Sequence, residues 1–343
     1  MKFHNQILYR TLVIHLMVMI SVAAIGQVRD TIKVQESKPT EIKVVKWIEQ
    51  WPSSAGNRQP ATFKTRFNKV FLGKKTPDPV RPVALFAVDP DNFWALDQGV
   101  RSIFHVVKGV GDIPQFLQKS DARFLSLVGI CSTALQEILF TDSQANRIFR
   151  LSPDRKKIEV LDDSLQLDQP TGIAYAEVTN EIWVVETNAH RITVLNDRGK
   201  VLRHIGSRGT GKGEFNYPTH IWIGKSGLVY VVDAMNFRVQ VFRLTGEVVS
   251  VFGQPGDASG FLARPKGIAA DSHGNIYIVD ALFHVVQVFN FQGEYLYAFG
   301  NQGHGAGEFW MPSGIFIDGK DNIYVADSYN SRVQIFQLDI AEK

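Results

Sequence analysis

Cysteine is almost missing from this chain: Cys131 is the only one in 343 residues. A single thiol excludes an intrachain disulfide and a CxxCH haem attachment, and one so far from the N-terminus is no lipid-attachment site. Set in the apolar run LVGICS, it reads as a buried, inert thiol. Charge of one sign is also scarce. The 37 Lys and Arg nearly balance 34 Asp and Glu, for a formal net charge of +3, too little to draw a nucleic acid onto a basic face. No apolar run reaches the roughly 20 residues of a membrane-spanning helix. The nearest, TLVIHLMVMISVAAIG after Lys2 and Arg10, has an apolar core of about 14 residues, the length of a signal-peptide core. Ala24 and Gly26 supply the small residues for cleavage before Gln27, so 1–26 is expected to be a signal peptide. The alternative is an uncleaved N-terminal anchor. Either way the remainder works outside the cytoplasm, periplasmic or secreted, with no other membrane insertion. Losing Lys2 and Arg10 lowers the charge from +3 to +1.

What the chain has in plenty is one sentence repeated. PTHIWIGKSGLVYVVDAMNFRVQVF (218–242), PKGIAADSHGNIYIVDALFHVVQVF (265–289) and PSGIFIDGKDNIYVADSYNSRVQIF (312–336) open on Pro218, Pro265 and Pro312, 47 residues apart. Each is an alternating run, a Gly or Asn turn, a run ending on Asp, and a third run, which is the pattern of short antiparallel strands. A fourth strand follows in GEVVSVFG (246–253) and GEYLYAFG (293–300). Four short strands per period describe a β-propeller blade. Weaker copies begin at Arg81, Ser126 and Pro170. The second strands then end on Asp97, Asp142, Glu186, Asp233, Asp280 and Asp327, with spacings of 45, 44, 47, 47 and 47 residues. That run predicts an all-β, six-bladed propeller with no missing blade.

The last copy has no fourth strand of its own after Phe336. RFNKVFLG (66–73) resembles the fourth strands elsewhere. It is expected to complete the last blade and close the ring through the N-terminus, leaving no open sheet edge. The domains are accordingly 1–26, an extended lead-in over 27–64, and the propeller over 65–343. In the first blade the fourth strand has degenerated between His105 and Leu127. The pattern P-x-G-I-A-x-D…G-N-I-Y-V-x-D…R-V-Q-V-F resembles the NHL repeat, a propeller family usually built with six blades. The resemblance covers roughly 65–337 and is specific in the last three blades.

Function is less legible, because propellers carry many activities. Arg follows the carboxylate by five residues in Asp142–Arg147, Glu186–Arg191, Asp233–Arg238 and Asp327–Arg332. A pair repeated around a ring reads as a hairpin-fixing salt bridge rather than a catalytic dyad. GSRGTGKG (206–213) approaches a phosphate-binding loop but ends in Gly213 and leads into no helix, so it reads as a connector. Phe215, Leu262 and Phe309 read as plugs between blades. The residues after the prolines should ring a channel mouth: Val83, Val128, Thr171, Thr219, Lys266 and Ser313. In the next ring His220 interrupts a row of small residues.

The NHL resemblance implies alternatives among its relatives: a metal-dependent lactonase-like hydrolase, or a peptide-amidating lyase-like enzyme using the central channel. Zinc needs three or four converging ligands, and this mouth offers one His and no carboxylate. No metal, cofactor or catalytic residue is therefore assigned. The reading that fits best is a non-catalytic recognition scaffold, expected to be monomeric, binding a protein, peptide or glycan on the loop-bearing face, with no nucleic-acid partner. The loop after the carboxylate turns apolar in AMNF (234–237) and ALFH (281–284). Met235, Phe237, Leu282, Phe283 and His284, with His220 and Lys266, are the candidate binding residues.

Overall fold

Antiparallel four-stranded sheets account for every strand in a computed structural model that describes residues 43–52, 78–108, 115–116 and 124–340. The six sheets are the six blades. From the innermost strand outward, blade 1 is Pro82–Asp89, Asn92–Asp97, Ser102–Val107 and Gln115–Phe116. Blade 4 is Pro218–Ile223, Leu228–Asp233, Arg238–Arg243 and Val248–Phe252. Neighbouring innermost strands pack against each other all the way round, including blade 6 against blade 1, so the ring is closed. Residues 44–339 form this one compact unit; of the other, 1–43 and 340–343, only the strand ends Lys43 and Ile340 are described.

Burial explains why the strands carry the patterns they do. Second strands such as IYIVD (276–280) and NIYVAD (322–327) are buried at every position. They sit mid-blade with another blade on each side, so both faces must be apolar. Outermost strands such as YLYAF (295–299) alternate half-buried and exposed residues. Six apolar clusters form, one in each gap between blades. The expected plugs are among them: Phe215, Leu262 and Phe309 are fully buried.

The ring does close through an N-terminal strand, but not the expected one. The outermost place in blade 6 belongs to Lys43–Trp51, beside Arg332–Ile340. The segment read as a lead-in therefore contributes the closing strand, and the propeller begins earlier than 65. Residues 66–73 and 1–26 lie outside the described residues. The physical reason is length and anchoring. Arg332–Ile340 runs for nine residues, and KVVKWIEQW matches it with nine. Trp47 Nε1 donates to Gln334 Oε1 (3.0 Å), and Arg332 Nη1 donates to Gln50 Oε1 (2.8 Å). Trp51 crosses to blade 1, its ring 5.2 Å from Phe104 and 6.0 Å from Phe93.

Near the axis the blades approach too closely for side chains. A Cβ on Gly314 would lie 2.4 Å from the Val83 carbonyl oxygen of blade 1, and one on Gly129 2.3 Å from that of Thr171 in blade 3. Backbone stands on both sides and cannot step aside. Gly314→Ala is expected to cost about 2 kcal/mol through forced separation of blades 6 and 1, read as a lower urea midpoint at unchanged slope. An unshifted midpoint would show that this contact is slack.

Candidate functional site

The loop-bearing face is organised by the six carboxylates, all fully buried. Each holds the chain entering its own blade: Asp97 accepts from the Val80 and Arg81 N–H groups (2.8 and 2.9 Å), Asp280 from Ala263 and Arg264 (2.8 and 3.0 Å). The remaining lone pairs are satisfied in one of two ways. In blades 3, 4 and 6, Arg191, Arg238 and Arg332 donate through Nε to Glu186, Asp233 and Asp327 at 2.7–2.8 Å. In blades 1, 2 and 5 the carboxylate accepts turn N–H groups instead, such as Gly99 and Val100 on Asp97. The expected Asp142–Arg147 pair is not formed. Asp142 is already filled by the N–H groups of Leu125, Ser126, Gln144 and Ala145, and Arg147 turns outward to Asp163 (2.8 Å). These are structural hubs.

A second set of ties went unread in the sequence. The glutamine of R-V-Q-V-F is buried in blades 4, 5 and 6. Gln240, Gln287 and Gln334 each donate to the carbonyl oxygen of Glu214, Phe261 or Glu308 at 2.6–2.7 Å. Their amide oxygens accept from Gly213, Gly260 and Gly307 at 2.9–3.0 Å. GSRGTGKG and its counterparts are thus tied-down connectors. A buried amide within an apolar strand was the available signal, since such a group must find partners.

After each carboxylate the chain turns through a left-handed residue: Arg101, Asn146, His190, Phe237, His284 and Ser331, with φ between 52° and 59°. Polar residues here reach the next blade. His190 Nδ1 accepts from Tyr217 N–H (3.1 Å) and His284 Nδ1 from Met311 N–H (3.0 Å). His284 is therefore a latch between blades 5 and 6. Phe237 is half-buried against the cluster between blades 4 and 5, and Phe283 is also half-buried. Met235 and Leu282 are 54% and 55% exposed, and Tyr329 in blade 6, at the same register, is 60% exposed. Tyr329 stands in the otherwise polar loop SYNS (328–331) and is not among the candidates read from the sequence. Exposed Tyr217 and Trp310 flank the three, and the His304 ring stacks on Trp310 at 4.9 Å. The result is an apolar arc over blades 4, 5 and 6. On blade 3 the corresponding position is Asn188.

The arc runs into a cleft of about 360 Å³ at the rim of blade 6, lined by Pro52, Asp78, Pro79, His304, Asn330 and Arg332 among others. Among the described residues no three His, Cys, Asp or Glu side chains gather into a metal-binding group. Cys131 lies on an innermost strand and is half-buried, not fully buried as expected, and the desolvation it does undergo pushes its thiol pKa up.

The channel mouth divides into satisfied and unsatisfied residues. Thr171 is buried with its hydroxyl 2.8 Å from Thr187 Oγ1, and Ser313 Oγ donates to Val83 O at 3.4 Å. Thr219, His220 and Lys266 are half-buried. Below them the innermost strands of blades 4, 6 and 1 touch through Trp222, Phe316 and Phe86, with centroids 5.2 and 5.3 Å apart.

Solved structures share this architecture at low sequence identity. An auxiliary nutrient binding protein from Bacteroides thetaiotaomicron superposes with a TM-score of 0.61 at 13% identity, over 76% of this chain and 70% of that one. Virginiamycin B lyase from Staphylococcus aureus gives 0.57 at 18%, over 77% and 97%. A gluconolactonase from Xanthomonas campestris gives 0.58 at 14%, over 76% and 87%. At such identities the likeness is one of fold. No curated protein matches the chain. A family model described as 6-bladed beta-propeller matches residues 161–268 and 266–342. That match takes in blades 3 to 6 and the whole arc, and it runs over more than half of the chain, which therefore belongs to the 6-bladed beta-propeller family.

Proposed function

We propose that this protein is an NHL-type recognition propeller acting outside the cytoplasm, which docks a protein or peptide partner on its loop-bearing face without transforming it. The exposed arc of Met235, Leu282 and Tyr329 carries this reading. Three large apolar side chains at one register on adjacent blades, flanked by Trp310 and Tyr217, make a patch of the kind that marks interaction sites. Aliphatic Met and Leu favour protein side chains over a glycan, which would be served by aromatic rings alone. Ordered backbone stands directly beneath the arc, since each turn is fixed by a buried carboxylate, so little freedom is lost on binding. The charged start and short apolar core of 1–26 support export.

Changing Met235, Leu282 and Tyr329 together to Ser is expected to leave stability within about 0.5 kcal/mol. Affinity for a partner recovered from native extract should fall by more than about 2 kcal/mol. A stable triple variant that still captures the same partners would end the proposal. A marked fall in melting temperature would show instead that the arc is covered by the protein itself.

A further inference from the structure

The strand Pro218–Ile223 differs from the other innermost strands in what it leaves unpaired. Thr219 Oγ1, His220 Nδ1 and Trp222 Nε1 are all shut off from solvent and have no hydrogen-bond partner. At the position of Thr219, Thr171 on blade 3 and Ser313 on blade 6 are both paired. Buried polar groups nearly always find partners because leaving them bare costs free energy. Three bare groups within four residues mark a place prepared for a polar guest. On the adjacent innermost strand, half-buried Lys266 has its pKa pushed down, first by burial and then by the positive charge of Arg264, and no carboxylate offsets this.

We propose that the channel mouth between blades 4 and 5 is a carboxylate-binding site, with Lys266 as the charge partner and the Thr219 hydroxyl and Trp222 indole N–H as donors. A carboxylate is an acceptor-only, planar group that uses all three. Its charge replaces the acid that Lys266 lacks. His220 sits where blades 2, 3, 5 and 6 carry Gly129, Gly172, Gly267 and Gly314. Burial holds its pKa at about 4, so at neutral pH the imidazole is uncharged and adds a hydrogen-bonding edge without a second cation. The aromatic contact of Trp222, Phe316 and Phe86 provides an apolar floor, and exposed Arg264 extends the positive field outward. The guest is a small organic acid or a carboxylate carried by a larger partner.

Calorimetric titration of the full chain with N-acetylleucine, its amide and acetate tests this. Both acids should bind and the amide should not. Lys266→Met should weaken the acids by at least about tenfold while melting no lower than the parent, because a desolvated charge has been removed; Lys266→Arg should retain binding. The Met235→Ser/Leu282→Ser variant should still bind acetate, which keeps the site separable from the arc. A gain of N-acetylleucine over acetate that this variant abolishes identifies a partner's carboxylate as the guest. Equal affinities identify a free small acid. Equal binding of acid and amide, binding of neither acid, or undiminished affinity in Lys266→Met would overturn the proposal.

Discussion

A chain lacking residues 1–52 is expected not to survive as a soluble monomer. The deletion strips blade 6 of its outermost strand and bares the nine-residue edge Arg332–Ile340. An unpaired apolar edge of that length is a template for association. It also removes the Trp47 and Gln50 partners of Gln334 and Arg332, and it uncovers the face of Phe93 and Phe104 on which Trp51 packs. Trp51→Ala alone should cost about 3 kcal/mol, at the lower end for a large aromatic because the ring is only half-buried. Size-exclusion chromatography of the truncated chain should show aggregate. As a control, Val70→Ser/Phe71→Ser should leave the melting temperature of the intact chain unchanged. If the truncated chain is monomeric and melts with the parent while the control collapses, then 66–73 is the closing strand in solution.

That contrast shows where sequence patterns inform and where they stop. The blade count was legible because strand composition follows from position: doubly covered second strands must be apolar throughout, and one carboxylate must gather the incoming chain in every blade. The choice between KVVKWIEQW and RFNKVFLG was not legible from local pattern. It depends on the unusual length of Arg332–Ile340 and on gaps at Phe93 and Phe104, both set by residues some 40 to 290 positions away. Asp142 misled for a similar reason. The Asp-to-Arg offset was right, but four N–H groups had already filled the carboxylate.

The candidate binding surface was half legible. Met235 and Leu282 were expected to be exposed and are; Tyr329 shares their register and was passed over because its loop is otherwise polar. Phe237 and His284 occupy the left-handed position, which points toward the next blade and not outward. The unpaired atoms on Pro218–Ile223 had no sequence signature, since pairing at the mouth depends on what the adjacent blade supplies.

Stability should fall in mild acid, in a window set by histidines and not by carboxylates. His105 is almost fully buried, stacked on Trp94 at 3.8 Å, with Nε2 bonded to Asn92 Oδ1 (2.8 Å) and Nδ1 bare. Burial, and then the Arg155 charge, lower its pKa from 6.5 to about 4. Burial alone brings His220 to about 4. Burial chiefly lowers His204 as well. For a base whose folded pKa is depressed, the unfolded chain binds more protons between the two values, so stability drops as pH falls from 6.5 toward 4 and levels off below. At about pH 5, His105 and His220 should each have cost about 2 kcal/mol relative to pH 7.5, close to 4 together. Carboxylates with depressed pKa values work lower down: Asp162, held at about 2 by Lys200 and Ser164, and Glu181, lowered chiefly by Arg203, lose their contribution only as pH falls below the ordinary carboxylate range. Urea melts between pH 7.5 and 5 should therefore show the midpoint falling steadily across this range. His105→Gln, which keeps a donor for Asn92, combined with His220→Asn, should flatten that descent while leaving the deeper acid transition in place. A parent midpoint that is level over this range, or a double variant that descends as steeply as the parent, would remove buried neutral histidine from the account of how this propeller is held together.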